Sequence, residues 1–575
     1  MLLIEKHLKI SLFILLNIIG LTAFAQKEAY VKTLDRQNKW VDSVFKHLNR
    51  KQKIAQLFFV RAHTNRGKHY EDSIANVIER DHVGGLVFFQ GGPGRQANLI
   101  NRYQKLSKVP LLIAMDGEWG LGMRLDSTIS YPYQMTLGAI QDNNLIYKMG
   151  QQVAYDFKRL GMQMNFAPDM DINNNPNNPV INYRSFGDNK FNVTQKGIAY
   201  MKGMQDGGIL TTAKHFPGHG DTNVDSHVEL PLLPFTRKRL DSLEMYPFKE
   251  AIKADASGIM IAHMSIPALD NTKNQASTLS RKIITDILKD SLGFKGLVVS
   301  DAMEMRAVTK YYPVGEAEMR AFIAGNDIIE LSENLETAIL KIRKAIHQDK
   351  ITMAEFHAKV IRVLAAKYWA GLNTYKPVNT NNVVEDLNRN SADELVQQLS
   401  DAAITVIKGT SQSFQLNPIM RTAIICVGVN KFTVFEQELA KWYPNSKMYT
   451  IDKNTPVTHL NQVLTMLKND YDQVIVSIND TRTRPQSTLD YSFAVKSFIG
   501  SLAGFKNSVV SVFANPYTIA GLPGIEKSGA LMVGYQMSDE IQRSAVKVIT
   551  GRLKPTGKLP VTINTFFLNG MGASL

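Results

Sequence analysis

The stretch Gly208-Ile-Leu-Thr-Thr-Ala-Lys214-His215-Phe-Pro-Gly-His219-Gly-Asp-Thr-Asn-Val-Asp225-Ser-His227 holds the plan of the chain. Its first part, to Ala213, is an apolar run of the kind that forms a buried strand, and such a strand delivers Lys214 and His215 at its tip. Pro217, Gly218 and Gly220 then break regular structure and open a loop. Asp225 and His227 are separated by one residue, so in an extended segment they point to the same side. A carboxylate bonded to one imidazole nitrogen fixes the tautomer and leaves the other nitrogen for proton transfer near neutral pH. The same string also supplies ligand types for a zinc or iron hydrolase: His215, His219, Asp221, Asp225 and His227. Against that alternative, Pro217 and the two glycines prevent the helix that would set His215 and His219 on one face.

Working outward, short apolar runs separated by helical stretches recur at 57–60, 85–89, 111–115, 164–167, 209–213, 258–262, 297–299 and 328–331. Each is a candidate buried parallel strand, and the series predicts an α/β fold beginning with a (β/α)8 barrel, similar to the triose-phosphate isomerase type. Polar residues follow the runs directly: Asp116, then Asp169 and Asp171, Lys214 and His215, His263, and Asp301. Barrels build their active sites at these C-terminal strand ends. Upstream, Lys32 to Gln56 reads as helical, with Trp40, Val44, Leu48 and Ile54 as its apolar stripe. The barrel is expected over 26–370 and a linker rich in asparagine over 371–390. Ser391 and Glu394 then have the spacing of a capping box opening a second domain, 391–575. That domain resumes the alternation, with runs at 404–407, 423–429, 473–478, 509–513 and 530–533, and reads as a smaller α/β unit.

The chain has 575 residues, a formal charge of +14 and 44% hydrophobic residues, the composition of a globular protein of two or more domains. No Lys/Arg block or aromatic-interleaved basic patch is present, so nucleic acid is not the expected partner. Residues 1–25 have the pattern of a secretory signal: Lys6 and Lys9, an apolar core from Ile10 to Leu21, and Ala23-Phe24-Ala25. Export to the periplasm or beyond is therefore expected, with no later stretch apolar enough to span a bilayer. Cys426 is the single cysteine; it lies in an apolar run and reads as inert core.

Lys214 to His227 resembles the signature of glycoside hydrolase family 3, in particular its bacterial β-N-acetylglucosaminidases that act on peptidoglycan fragments. The Asp-x-His pair marks that branch. The resemblance implies a barrel followed by an α/β sandwich, to which Asn515-Pro516-Tyr517 and Gly551 to Thr562 are similar. It implies that Asp301, in Val298-Val299-Ser300-Asp301-Ala302-Met303, is the nucleophile of a retaining glycosidase, with His227 as acid/base and Asp225 as its orienter. It further implies that Asp116, in Met115-Asp116-Gly117-Glu118-Trp119-Gly120, together with Arg124, Arg184, Lys214, His215 and His263, binds the sugar. Leu121 stands where the branch commonly has an arginine. Asp169 and Asp171 read as polar supports of the barrel mouth. The implied substrate is an oligosaccharide or muropeptide bearing terminal N-acetylglucosamine, and neither cofactor nor metal is required. An imidazole repels anions less than a carboxylate does, so phosphate is an alternative acceptor to water, which would make the protein a phosphorylase. A wall-binding protein without catalysis is the remaining alternative.

Overall fold

The structure, a computed structural model, describes residues 27–573; the leader read over 1–25 lies outside them. The segment read as one helix over Lys32 to Gln56 is broken. Lys39–His47 and Arg50–Ala55 are separate helices, because Leu48 is extended and Asn49 caps the second through the amide of Gln52.

Nine strands follow to residue 330: β1 (Phe58–Ala62), β2 (Gly85–Phe88), β3 (Leu112–Met115), β4 (Met164–Asn165), β5 (Leu210–Thr211), β6 (Ala213–Phe216), β7 (Gly258–Ile261), β8 (Leu297–Ser300) and β9 (Ile329–Glu330). Every one of the expected apolar runs contributes a strand, and the run at 209–213 contributes two, broken at Thr212. They form two parallel sheets, β5-β4-β3-β2-β1-β9 and β6-β7-β8. Single parallel bridges, Asp169 to Lys214 and Val299 to Ile328, join the sheets at both junctions. Regular ladders stop there for local reasons. Pro168 has no amide hydrogen to extend β4, and Leu331 leaves the strand region at φ +51°. Phe59, Val87, Ala114, Met164, Leu210, Met260 and Val299 pack into one core between the sheets. Leu86, Phe88, Ile113 and Met115, on the opposite face, pack against the surrounding helices. Each such buried side chain contributes roughly 1.5–3 kcal/mol relative to exposure.

The segment read as a linker lies against the first sheet's helices. Arg159 donates to Asn379 O, Asn381 O and Asp386 Oδ2, while Val383 and Leu387 of a short helix are buried. The expected capping box at Ser391 is absent: the helix Asn390–Ala403 starts after Arg389 with no side-chain cap, and the Arg389 guanidinium lies over the Tyr155 ring. Beyond it stands a separate mixed sheet, with β10 (Thr405–Lys408), β11 (Thr422–Val427), β12 (Ser446–Ile451), β13 (Gln473–Asn479), β14 (Ser508–Phe513) and β15 (Ala530–Val533). Its order is β10-β15-β14-β13-β11-β12, parallel except for the β10–β15 pair. Cys426 is buried in this sheet, and burial pushes its thiol up.

The second domain grips the loop between β4 and the helix Lys190–Asp206. Asn515 donates to Asn182 Oδ1, and Asn173 donates to the Tyr517 hydroxyl at 3.0 Å. Asp188 accepts from Thr562 N at 2.7 Å and from the Asn569 amide at 2.6 Å. Gly187, at φ +133°, approaches so closely that a Cβ there would sit 2.2 Å from Pro560 O.

Candidate active site

The C-terminal ends of the strands carry a buried ionic lattice. Lys214, on β6, donates to Asp116 Oδ1 at 2.8 Å and lies 2.9 Å from Glu118 Oε1. Arg124 closes the other side of Asp116 at 2.7 Å. Arg184 clasps Glu118 with two bonds, Nη2 to Oε1 at 2.6 Å and Nε to Oε2 at 3.0 Å, the planar fork geometry that makes such pairs strong. Burial opposes ionisation of Asp116, but Lys214 and Arg124 outweigh it and hold the carboxyl well below the usual range. Glu118 is likewise held down by Arg184 and Lys214 against its burial. Each oxygen of Asp116 keeps a lone pair, so the carboxylate can still accept from a ligand hydroxyl.

A second group sits beside it. His215 Nδ1 lies 2.7 Å from Asp171 Oδ2, and Asp171 also accepts the amides of His215 and His219. Burial disfavours the Asp171 charge, yet His215, His219 and these amides keep its pKa below normal. Asp169 goes the other way. Burial, then the neighbouring Asp171, raise it well above a normal carboxyl; its Oδ2 accepts no hydrogen bond among the described residues and has only the longer ion-pair contacts of His215 Nδ1 at 3.7 Å and Arg184 Nη2 at 3.9 Å. Asp171 is therefore more than a polar support: it orients a histidine. Asp169, Asp171 and His215 bring three ligand-type atoms within 4.8 Å of one another, but the Asp171–His215 pair among them is already a hydrogen bond. The wider metal set read from the loop does not converge. His219 faces Thr222 and Ser226, Asp221 pairs with Arg239, and burial followed by His215 lowers His219 to about 4.

Asp301 follows β8. Its Oδ1 accepts the Ala302 amide at 2.8 Å, and Oδ2 has no hydrogen-bond partner among the described residues. Burial works against its charge, but His263, His215, the Ala302 amide and His227 together keep it below the ordinary range. His263 is fully buried, 2.6 Å from Thr278 Oγ1, and its Nε2 donates to Ala302 O at 3.1 Å. It thus braces the peptide behind Asp301.

The loop closes the inventory with an exposed pair. His227 Nδ1 lies 2.8 Å from Asp225 Oδ1, which also accepts the His227 amide at 2.8 Å. The imidazole is 67% exposed, and its Nε2 makes no hydrogen bond among the described residues. The loop's footing is the Ser226 carbonyl, which accepts the amide of Ala307 beyond Asp301.

Three features lay outside the sequence reading. Glu118 was in the quoted motif but unassigned, although a carboxylate between two cations needs only the neighbouring Asp-Gly-Glu spacing to be suspected. Glu330 is a charge inside an apolar run, which is itself a cue. The rim formed by Trp119, Tyr133 and Tyr183, with ring centroids of successive pairs 4.9 Å apart, has no sequence cue, because its members come from separate loops.

The family model of the Glycosyl hydrolase family 3 N terminal domain matches residues 50–366. β-Hexosaminidase A of Pseudoalteromonas piscicida is 28% identical over 557 residues, covering 85% of this chain and 91% of its own. A β-hexosaminidase of Nitrosomonas eutropha is 32% identical over 266 residues, 44% of this chain and 75% of its own. Among solved structures, a glycoside hydrolase family 3 β-N-acetylglucosaminidase from Paenibacillus sp. str. FPU-7 superposes with a TM-score of 0.76 at 30% identity, covering 90% of this chain and 99% of the other. With its model matched across the first domain and full-length relatives on both counts, the chain belongs to glycoside hydrolase family 3.

Proposed function

We propose that this protein is a retaining β-N-acetylhexosaminidase that releases terminal β-linked N-acetylglucosamine from peptidoglycan fragments or related oligosaccharides. We read the two parallel sheets as one (β/α)8 barrel interrupted at its two bridges, with 26–370 as the catalytic domain and 391–575 as a sandwich that supports it. The observation that supports the proposal is an Asp301 whose charge is favoured by His263, His215 and His227, beside the Lys214–Asp116 pair and with an aspartate-bound His227 on the neighbouring loop.

In this mechanism Asp116, Arg124, Lys214, Arg184 and His215 hold the hydroxyl and carbonyl oxygens of the terminal sugar. Asp301 Oδ2 attacks the anomeric carbon while His227, as imidazolium, gives its Nε2 proton to the departing oxygen. Asp225 stabilises the cation and keeps Nε2 turned outward. The neutral imidazole then takes a proton from water as the water displaces Asp301. Two inversions give retention. His263 serves by holding the Ala302 peptide that binds Asp301 Oδ1. The relatives named β-hexosaminidase support the acetamido preference, and the leader pattern supports export; no described helix is long and apolar enough to cross a membrane.

The test is release of nitrophenol from the aryl β-N-acetylglucosaminide and the aryl β-glucoside, each with and without phosphate. Preference for the acetamido sugar in water is the expected result. Preference for the glucoside sinks the reading of Asp225 and His227, and a sugar phosphate formed only with phosphate makes the enzyme a phosphorylase.

A further inference from the structure

Glu330 has no part in the ionic lattice or in the mechanism above. It is the last residue of β9, and the chain turns away at once through Leu331. Register fixes its direction. Glu330 pairs with Phe59 of β1, Phe59 with Gly85 of β2, and the same side continues through Val87, Ala114 and Met164. In the other sheet Met260 pairs with Val299, and these side chains share the interior core. Strand side chains alternate, so Asp116, two residues past Ala114, and Asp301, two past Val299, emerge on this inner side. Glu330 emerges there too.

Its surroundings are those of a binding group rather than a structural one. The residue is 4% exposed, its Oε2 is buried without a partner, and no described residue bonds or ion-pairs with its carboxyl. Glu330 N donates to Ser300 Oγ and its carbonyl accepts the Met303 amide, so the backbone is tied on both sides of Asp301. The charged groups that face it are Asp116, Asp301, Lys214 on β6 and Arg61 on β1. Arg61 is already engaged, with Glu304 and over the Phe89 ring. A buried carboxyl without a bond weakens the free protein, and such costs are tolerated at sites completed by a ligand.

We propose that Glu330 is a substrate-contacting specificity residue, its carboxyl kept for one hydroxyl of the terminal sugar. The inference rests on the glycosidase reading above. Burial, then Asp116 and Asp301, push its pKa well above the ordinary range, against Lys214 and Arg61. The shift favours the protonated form, in which the carboxyl is an O–H donor beside two carboxylates that only accept. It supplies the donor that a sugar hydroxyl acting as acceptor requires on this side of the pocket.

The experiment measures kcat/KM for the aryl β-N-acetylglucosaminide and its 3-, 4- and 6-deoxy analogues with wild-type, Glu330→Gln and Glu330→Leu enzymes, alongside ligand-free melting temperatures. In the wild type one deoxy analogue is expected to lose about tenfold to a hundredfold, the range of a hydrogen bond to a buried polar group. In Glu330→Leu the parent slows by a similar factor and that one penalty disappears, while Glu330→Gln, which keeps a donor, keeps the penalty. Melting of Glu330→Leu stays equal or rises, because no protein partner is lost. Identical analogue penalties in the wild type and Glu330→Leu overturn the proposal, as does a uniform loss accompanied by a lower melting temperature. If Glu330→Leu does not fold, Glu330→Ala gives the same comparison. No turnover of any aryl glycoside by the wild type overturns the glycosidase reading and this proposal with it.

Discussion

The site has two unlike halves. The lattice of Lys214, Asp116, Glu118 and Arg184 is buried, each member is held by at least one short bond, and its geometry is fixed before any ligand arrives. The Asp225–His227 pair is exposed on a loop that is tied to the rest through Ser226 and through the Glu229–Lys310 ion pair. On the proposed mechanism, the difference follows from the work each half would do. Sugar hydroxyls are recognised best by charges already desolvated and oriented, whereas an acid/base must first carry a proton to the leaving oxygen and then admit water on the same side. Rigidity serves the first task and access serves the second.

Substitutions can break or sharpen this contrast. The largest effect is expected at the atom both halves serve: Asp301→Asn lowers kcat by about 10⁴-fold or more, as loss of a nucleophile does, with binding of N-acetylglucosamine preserved by calorimetry. His227→Ala comes next. Its loss of about 10²- to 10³-fold, the range of general acid catalysis, falls on poor leaving groups, while a dinitrophenyl glycoside is largely spared in the glycosylation step. Equal losses on both substrates would remove His227 from the acid role, and its melting temperature is expected to match the wild type because the side chain is solvated.

The buried half behaves in the opposite way. Glu118→Gln leaves Arg184 and Lys214 short of a charge, so it is expected to cost about 3–5 kcal/mol of stability at neutral pH and to raise KM more than it lowers kcat. The folded-state pKa of Glu118 lies below its unfolded value. Its contribution is therefore fully present above the ordinary carboxylate range and is lost as pH falls through the depressed value. The melting gap between wild type and variant should accordingly narrow as pH is lowered below 4, measured by scanning calorimetry. A gap that widens on acidification would contradict the pairing. The smallest effect is expected at Lys310, whose exposed ion pair with Glu229 lies on the exposed half. Lys310→Ala should leave the melting curve unchanged and alter kcat/KM only slightly, and a large loss would mean that the loop is far more constrained than its exposure indicates.

The two halves also differed in how far the sequence disclosed them. Buried parallel strands read as unbroken apolar runs, so the strands and the residues at their tips, Asp116, Lys214, His215 and Asp301, were legible from local pattern. Asp225 and His227 were legible because their contact is local, two residues apart. What stayed hidden was long-range or half-exposed. Asp171 meets His215 across 44 residues, and Arg184 meets Glu118 across 66, separations that no spacing rule covers. β12 was missed because its side chains are mostly half-exposed, with no apolar run to betray an edge strand. The break at Leu48 was missed because the apolar stripe continues through it, whereas the cap at Asn49 decides the matter.

The grip of the second domain on the Arg184 loop has a consequence for when the protein becomes active. Asn515, Tyr517 and Pro560 are made well after the first domain, and they anchor Asn182, Asn173 and Gly187 on either side of that arginine. During synthesis the first domain can emerge with the proposed nucleophile, acid/base and most of the proposed cradle in place, while Arg184 still hangs on a loop that the second domain has yet to tether. Sugar affinity is then the last property the molecule acquires, so that a truncated chain is a weak binder before it is an inactive one.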